Sequence, residues 1–188
     1  MVVAAPRRFA FGVERYHQLI EVGALAPDDK VELINGEIFH MAAMGNRHLL
    51  AVQDLATWLI PAIDRTRYVP RVQLPIVLDA CSEPEPDLSV LRARADRYRS
   101  GKPTAADTVL VIEIGDSSID FDRTVKLPMY AAAGIPEFWL VDLAADCVEI
   151  HTEPLPKGYR LCRTLRDGDL LVPPGGGAGL AVSELLAR

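Results

Sequence analysis

Val109-Leu110-Val111-Ile112-Glu113-Ile114 is the most apolar run of the chain, and it decides the fold. Unalternating β-branched and aliphatic residues describe a strand covered on both faces, as at the centre of a sheet packed between helices. Glu113 breaks the run. An ionised carboxylate in such a strand is costly unless a cation, hydrogen-bond donors or protonation compensates. The surrounding sequence must therefore supply whatever Glu113 faces.

Outward from this strand, Asp122 to Ala133 reads as a helix ended by Gly134 and Pro136, and Glu137 to Leu143 as a further apolar strand. Upstream, Pro84-Glu85-Pro86 leads through a rigid turn into a short strand from Asp87 to Leu91. Tyr68 to Gln73 and Ile76 to Asp79 are one strand interrupted at Pro75, or two short ones. Asn46 is placed to cap a long helix reaching about Asp64, with Leu49, Val52, Leu55, Leu59 and Ile63 on one stripe. Lys30 to Met41 is a hairpin, because Asn35-Gly36 suits a type I′ turn with positive φ at both central residues. Val13 to Leu25 reads as a short amphipathic helix stopping before Pro27. Val148 to Thr152 and Tyr159 to Leu165 make a terminal meander, and the Gly-rich segment after Pro173-Pro174 is a loop lacking phosphate-loop context. The element order implies an α/β (α+β) fold: a mixed central sheet flanked by helices, with an N-terminal helix and hairpin and a C-terminal β meander. Residues 1–188 are expected to form one domain, with its core at about 46–143.

Composition narrows the class. The hydrophobic share is 49% and the net charge is −6, which argues against broad non-specific nucleic-acid binding. No stretch approaches the ~18 apolar residues of a membrane span. Met1 to Phe11 carries Arg7 and Arg8 with no apolar segment behind them, so no signal peptide is expected. Cys81, Cys147 and Cys162 are widely spaced, which suggests reduced thiols and a cytoplasmic location. Arg92, Arg94, Arg97, Arg99 and Lys102 crowd one short segment, for which solvated surface is the default reading.

The carboxylates stand out by position. If the Asp87 and Glu113 strands pair antiparallel, the start of one lies beside the end of the other. Two hard oxygen ligands would then converge on a site suited to Mg²⁺ or Mn²⁺. Turn chemistry after proline also accounts for Asp87, and an ion pair with Arg or Lys for Glu113. Asp122, Lys126 and Tyr130 share one helix face at four-residue spacing. A lysine there serves a metal site by positioning water or offsetting phosphorane charge, or it is an ordinary helix pair with Asp122. Glu32 falls on the polar face of the hairpin, His48 near a helix start, and Gln73 on a strand of undetermined orientation.

The blocks Val31-Glu-Leu-Ile-Asn-Gly-Glu-Ile, Met41 to His48, Pro84-Glu-Pro-Asp-Leu, Val111-Ile-Glu-Ile, Asp122-Arg-Thr-Val-Lys and Leu127 to Asp142 together resemble the Uma-two family, read as restriction endonucleases. The resemblance runs from about Tyr16 to the C-terminus. It implies membership of the PD-(D/E)XK nuclease-like superfamily, with Pro86-Asp87 as the PD element and Glu113 as the acidic residue of (D/E)XK. It further implies Glu32 as an added acidic contributor and His48 as part of a recurrent motif. Gly115 stands where that signature carries lysine, and Lys126 on the following helix is the expected substitute.

The resemblance implies a metal-dependent endonuclease hydrolysing phosphodiester bonds in DNA. Asp87 and Glu113 would hold Mg²⁺ (or Mn²⁺), Lys126 would orient or activate the attacking water, and Arg92 to Lys102 would contact the backbone. A homodimer is expected by analogy, since DNA cutters often pair two sites across a duplex. The rival is a catalytically inactive nuclease-fold protein that binds or regulates.

Overall fold

The structure is a computed structural model that describes residues 8–26, 28–41 and 43–187. Met1 to Arg7 and Pro27, on which the leader and helix-stop expectations partly rest, lie outside these residues. A six-stranded mixed sheet runs in the order β3-β4-β5-β6-β7-β8, built from Tyr68–Val72, Leu88–Arg92, Thr108–Gly115, Glu137–Asp142, Cys147–Leu155 and Gly158–Leu165. Only β5 and β6 are parallel; the other neighbours are antiparallel. The expected meander is therefore continuous with the central sheet, as the two strands β7 and β8 at one edge.

β5 is buried along nearly its whole length, as its apolar run requires. Leu110, Ile112 and Ile114 join one hydrophobic cluster with Leu55 and Leu59 of α2 (Asn46–Ala62). Val111 joins the opposite cluster with Met129 and Tyr130 of α4 (Leu127–Ala132). Because strand side chains alternate, Glu113 shares the face of Val111 and looks towards the helix that follows β5. That helix begins earlier than expected, with α3 at Ile119–Phe121, and passes through a π-helical turn over Asp122–Lys126 before α4. Ile76 to Asp79 is not a strand; it makes only the isolated bridges Val77–Thr104 and Asp79–Ser82. α2 is capped by Gly45, and Asn46 is its first residue.

α1 (Val13–Glu21) precedes the hairpin of β1 (Val31–Ile34) and β2 (Glu37–His40). Its turn has φ of 51° at Asn35 and 79° at Gly36, as the Asn-Gly reading requires. The Leu33–Glu83 bridge and the Gly36 N–H bonded to the Cys81 carbonyl fasten the hairpin to the segment leading into β4. This brings Glu32 towards the sheet. A Cβ at Gly36 would stand 2.6 Å from the Ala10 Cβ, on a backbone conformation L side chains avoid. Gly36→Ala should lose about 1–3 kcal/mol in urea unfolding; coincident curves would show the turn to be unconstrained.

Candidate functional site

Asp87 immediately precedes β4, whose antiparallel register places Leu88 opposite Ile112 and so brings Asp87 beside Glu113. The pairing condition posed by the sequence is met. Asp87 Oδ2 accepts the Ile114 backbone N–H at 2.9 Å, while Oδ1 meets His48 Nε2 at 2.9 Å. Gln73, held at φ 47° just after β3, donates to the same Oδ1 at 3.4 Å. Glu113 Oε1 receives the Tyr130 hydroxyl at 2.7 Å and the Lys126 ammonium at 3.2 Å. Lys126 also lies 3.0 Å from Glu32 Oε1, and Glu32 Oε2 accepts the Glu85 backbone N–H. Lys126 is thus clasped between strand and hairpin rather than acting as a plain helix partner of Asp122.

Glu32, Asp87, Glu113, Asp122 and Lys126 are all buried. They line one pocket of about 280 Å³, with His48, Glu85, Asp116, Phe39, Phe121 and Met44 among the other walls. Its electrostatics are lopsided. Burial raises the Glu113 pKa well above the carboxylate range; Lys126 opposes this, and Asp122, Asp87 and Glu32 add to it. Burial likewise raises Asp122 to about 6 against the pull of Lys126 and the Ser118 hydrogen bond. Burial and the Glu32 charge raise Glu85. Burial disfavours the Lys126 ammonium, yet Glu113, Glu32 and Asp122 outweigh it and hold the proton more tightly than usual. His48 follows the same logic: burial lowers its pKa, but the Asp87 hydrogen bond and nearby carboxylates leave it raised.

Gly115, where the signature would carry lysine, lies at a crowded point. A Cβ there would lie 2.6 Å from Ile119 Cδ1 and 2.9 Å from Ile119 Cα, where β5 turns into the helix. A side chain at 115 has no room, and the ammonium enters instead from the π-helical turn, where Lys126 is buried.

The arginine segment stands elsewhere. Arg92 closes β4, 5 residues long, which puts it roughly 16 Å from the Asp87 end. None of Arg92, Arg94, Arg97, Arg99 and Lys102 lines the pocket. Arg94 forks onto Asp96 at 3.0 and 2.7 Å, Lys102 pairs with Glu83, and Arg92 donates to the Ala106 carbonyl. Sequence reasoning left His48 and Gln73 unplaced and did not single out Glu85. The Pro84-Glu85-Pro86 turn that aims Asp87 was the available signal for Glu85.

A family model described as "Putative restriction endonuclease" (Uma2) matches residues 13–183. No curated protein matches the chain. The crystal structure of a "putative nuclease belonging to DUF820" from Anabaena variabilis is similar at 15% sequence identity and a TM-score of 0.73, covering 94% of this chain and 98% of that one. At that identity the likeness concerns the fold.

Asp122 generates a pH signature. Its pKa rises from 3.8 to about 6 on folding, so the native state favours the protonated acid, and stability falls as pH climbs between those values. In metal-free buffer the protein should lose about 2–3 kcal/mol through this group between pH 4 and pH 7. Asp122→Asn should flatten that part of the urea-unfolding profile; an unchanged slope would show that Asp122 is not the group responsible.

Proposed function

Because this chain belongs to the Uma2 family, we propose that it is a nuclease hydrolysing phosphodiester bonds of DNA with a divalent cation. The single observation carrying this reading is the convergence of Asp87, Glu113, Glu32 and Lys126 in one buried pocket. The donor set fits a hard cation: carboxylate oxygens dominate, and burial together with neighbouring carboxylates raises the pKa of Glu113, Asp122 and Glu85. Asp87 and Glu113 would hold Mg²⁺ or Mn²⁺, with Glu32 nearby. The ion would supply Lewis-acid polarisation of a phosphoryl oxygen and a more acidic bound water.

The chain's own groups divide the remaining work. Lys126 stays an ammonium in this field. Its part is therefore to orient the water and offset charge growing on phosphorus, not to abstract a proton. The Tyr130 hydroxyl fixes the Glu113 oxygen that Lys126 also contacts. His48, Gln73 and the Ile114 N–H fix the rotamer of Asp87. The aromatic and methionine walls restrict water around the reacting phosphate.

Supercoiled plasmid incubated with Mg²⁺ or Mn²⁺ tests this directly. The wild-type protein should nick it, and Asp87→Asn, Glu113→Gln and Lys126→Met should each slow nicking by about a hundredfold or more. Calorimetry should show Mg²⁺ binding abolished in Glu113→Gln and retained in Lys126→Met. A Lys126→Met protein that nicks at the wild-type rate would overturn the assigned mechanism. Divalent-ion binding without nicking would favour the regulatory reading.

A further inference from the structure

We propose that Glu149, His151 and Cys162 form a second metal site, for a borderline-soft divalent cation of the zinc class, on the outer strands of the sheet. Glu149 and His151 lie two apart on β7 and so share a face. The register places Cys162 of β8 directly opposite His151. Three different donor types meet there through strand pairing alone, although they are far from any metal-binding spacing in sequence.

The distances fit. His151 Nε2 stands 3.1 Å from Glu149 Oε2 and 3.8 Å from Cys162 Sγ, and one ligand atom from each residue lies within 4.8 Å of the others. Around a tetrahedral zinc, nitrogen–oxygen and sulfur–nitrogen edges measure about 3.3 and 3.6 Å. Two of the edges are therefore near their bound length before any cation arrives. A thiolate, an imidazole and a carboxylate suit zinc, cobalt or a similar ion rather than magnesium. The pocket around Glu113 offers no thiol, so the two sites select different cations.

The surroundings orient these donors. Arg123 binds Glu149 Oε1 at 2.8 Å and Asp142 Oδ2 at 3.0 Å, which leaves Glu149 Oε2 turned to His151. The His151 ring lies 5.9 Å from the ring centroids of both Phe138 and Tyr159, which restrict its tilt. Charge favours occupancy: Asp142 and Glu149 against Arg123 leave one negative charge, and a dication binding with release of the Cys162 proton brings the cluster to neutrality. Cys162 is exposed, so the fourth coordination position opens to solvent. Bound metal would clip the edge strand β8 to β7.

Cobalt(II) titration of the metal-free full chain tests the site. Wild-type protein should develop a thiolate-to-cobalt charge-transfer absorption that saturates at one equivalent and bleaches when zinc is added. Cys162→Ser should lack the band, while His151→Ala and Glu149→Gln should weaken cobalt binding at least tenfold. Glu113→Gln should keep the band in full, which separates this site from the pocket that carries the proposed nuclease reading. Zinc should raise the melting temperature of the wild type and leave that of Cys162→Ser unmoved, the two melting together without metal. A wild type without the band, or a band surviving in Cys162→Ser, would overturn the proposal.

Discussion

The clasp of one ammonium, Lys126, between Glu113 and Glu32 is the interaction on which the rest of the structure depends. It joins the central strand, the helix that follows it and the N-terminal hairpin. All three groups are buried, so removing Lys126 would strand two carboxylates; breaking a buried pair in this way typically costs about 3–5 kcal/mol. The clasp does not balance the pocket, however. One ammonium and two histidines, His40 and His48, share the lining with six carboxylates: Glu32, Glu85, Asp87, Glu113, Asp116 and Asp122. The hydrophobic clusters on both faces of β5 stabilise a site that is strained on its own, the pattern expected where function opposes stability.

The π-helical turn at Asp122–Lys126 and the glycine at 115 act as a pair. Without a side chain at 115, Ile119 can close tightly on the strand end and start the helix there. The wider turn then carries Asp122 and Lys126 into the same buried space. Single π turns are uncommon and recur at functional sites because they redirect side chains without breaking the helix. Here the redirected side chain is Lys126, to which the proposed function gives the task of a lysine two residues after Glu113.

How much of this was legible depended on whether the signal was local. The unalternating run at 109–114 announced a central strand, and Asn35-Gly36 announced a hairpin, since each pattern states its own geometry. The meeting of Asp87 with Glu113 was readable only conditionally, because antiparallel pairing is a tertiary fact. His48 looked like a helix-start residue, and nothing local told that its ring reaches Asp87. Gln73 takes a positive φ that a strand reading does not anticipate. The arginine run shows the limit of density as a signal: it sits at the far end of β4, outside the pocket, with Arg94 and Lys102 paired to acidic neighbours. Glu149, His151 and Cys162 left no spacing signal, since their meeting depends on the β7–β8 register.

The charge distribution constrains how any phosphodiester reaches Asp87 and Glu113. With a net charge of −6 and a pocket dominated by carboxylates, the empty site repels polyanions. Attraction must come from groups outside the pocket, or from cations that enter before the substrate. Burial first, and the neighbouring carboxylates after it, raise the pKa of Glu113 and of Asp122. Ionising these carboxylates is unfavourable in isolation and becomes favourable when a dication shares their field. Under the proposed function, cation affinity and substrate affinity would be coupled through the same oxygens. Lys126, already neutralised by its two partners, stabilises the arrangement without by itself making the pocket attractive to phosphate.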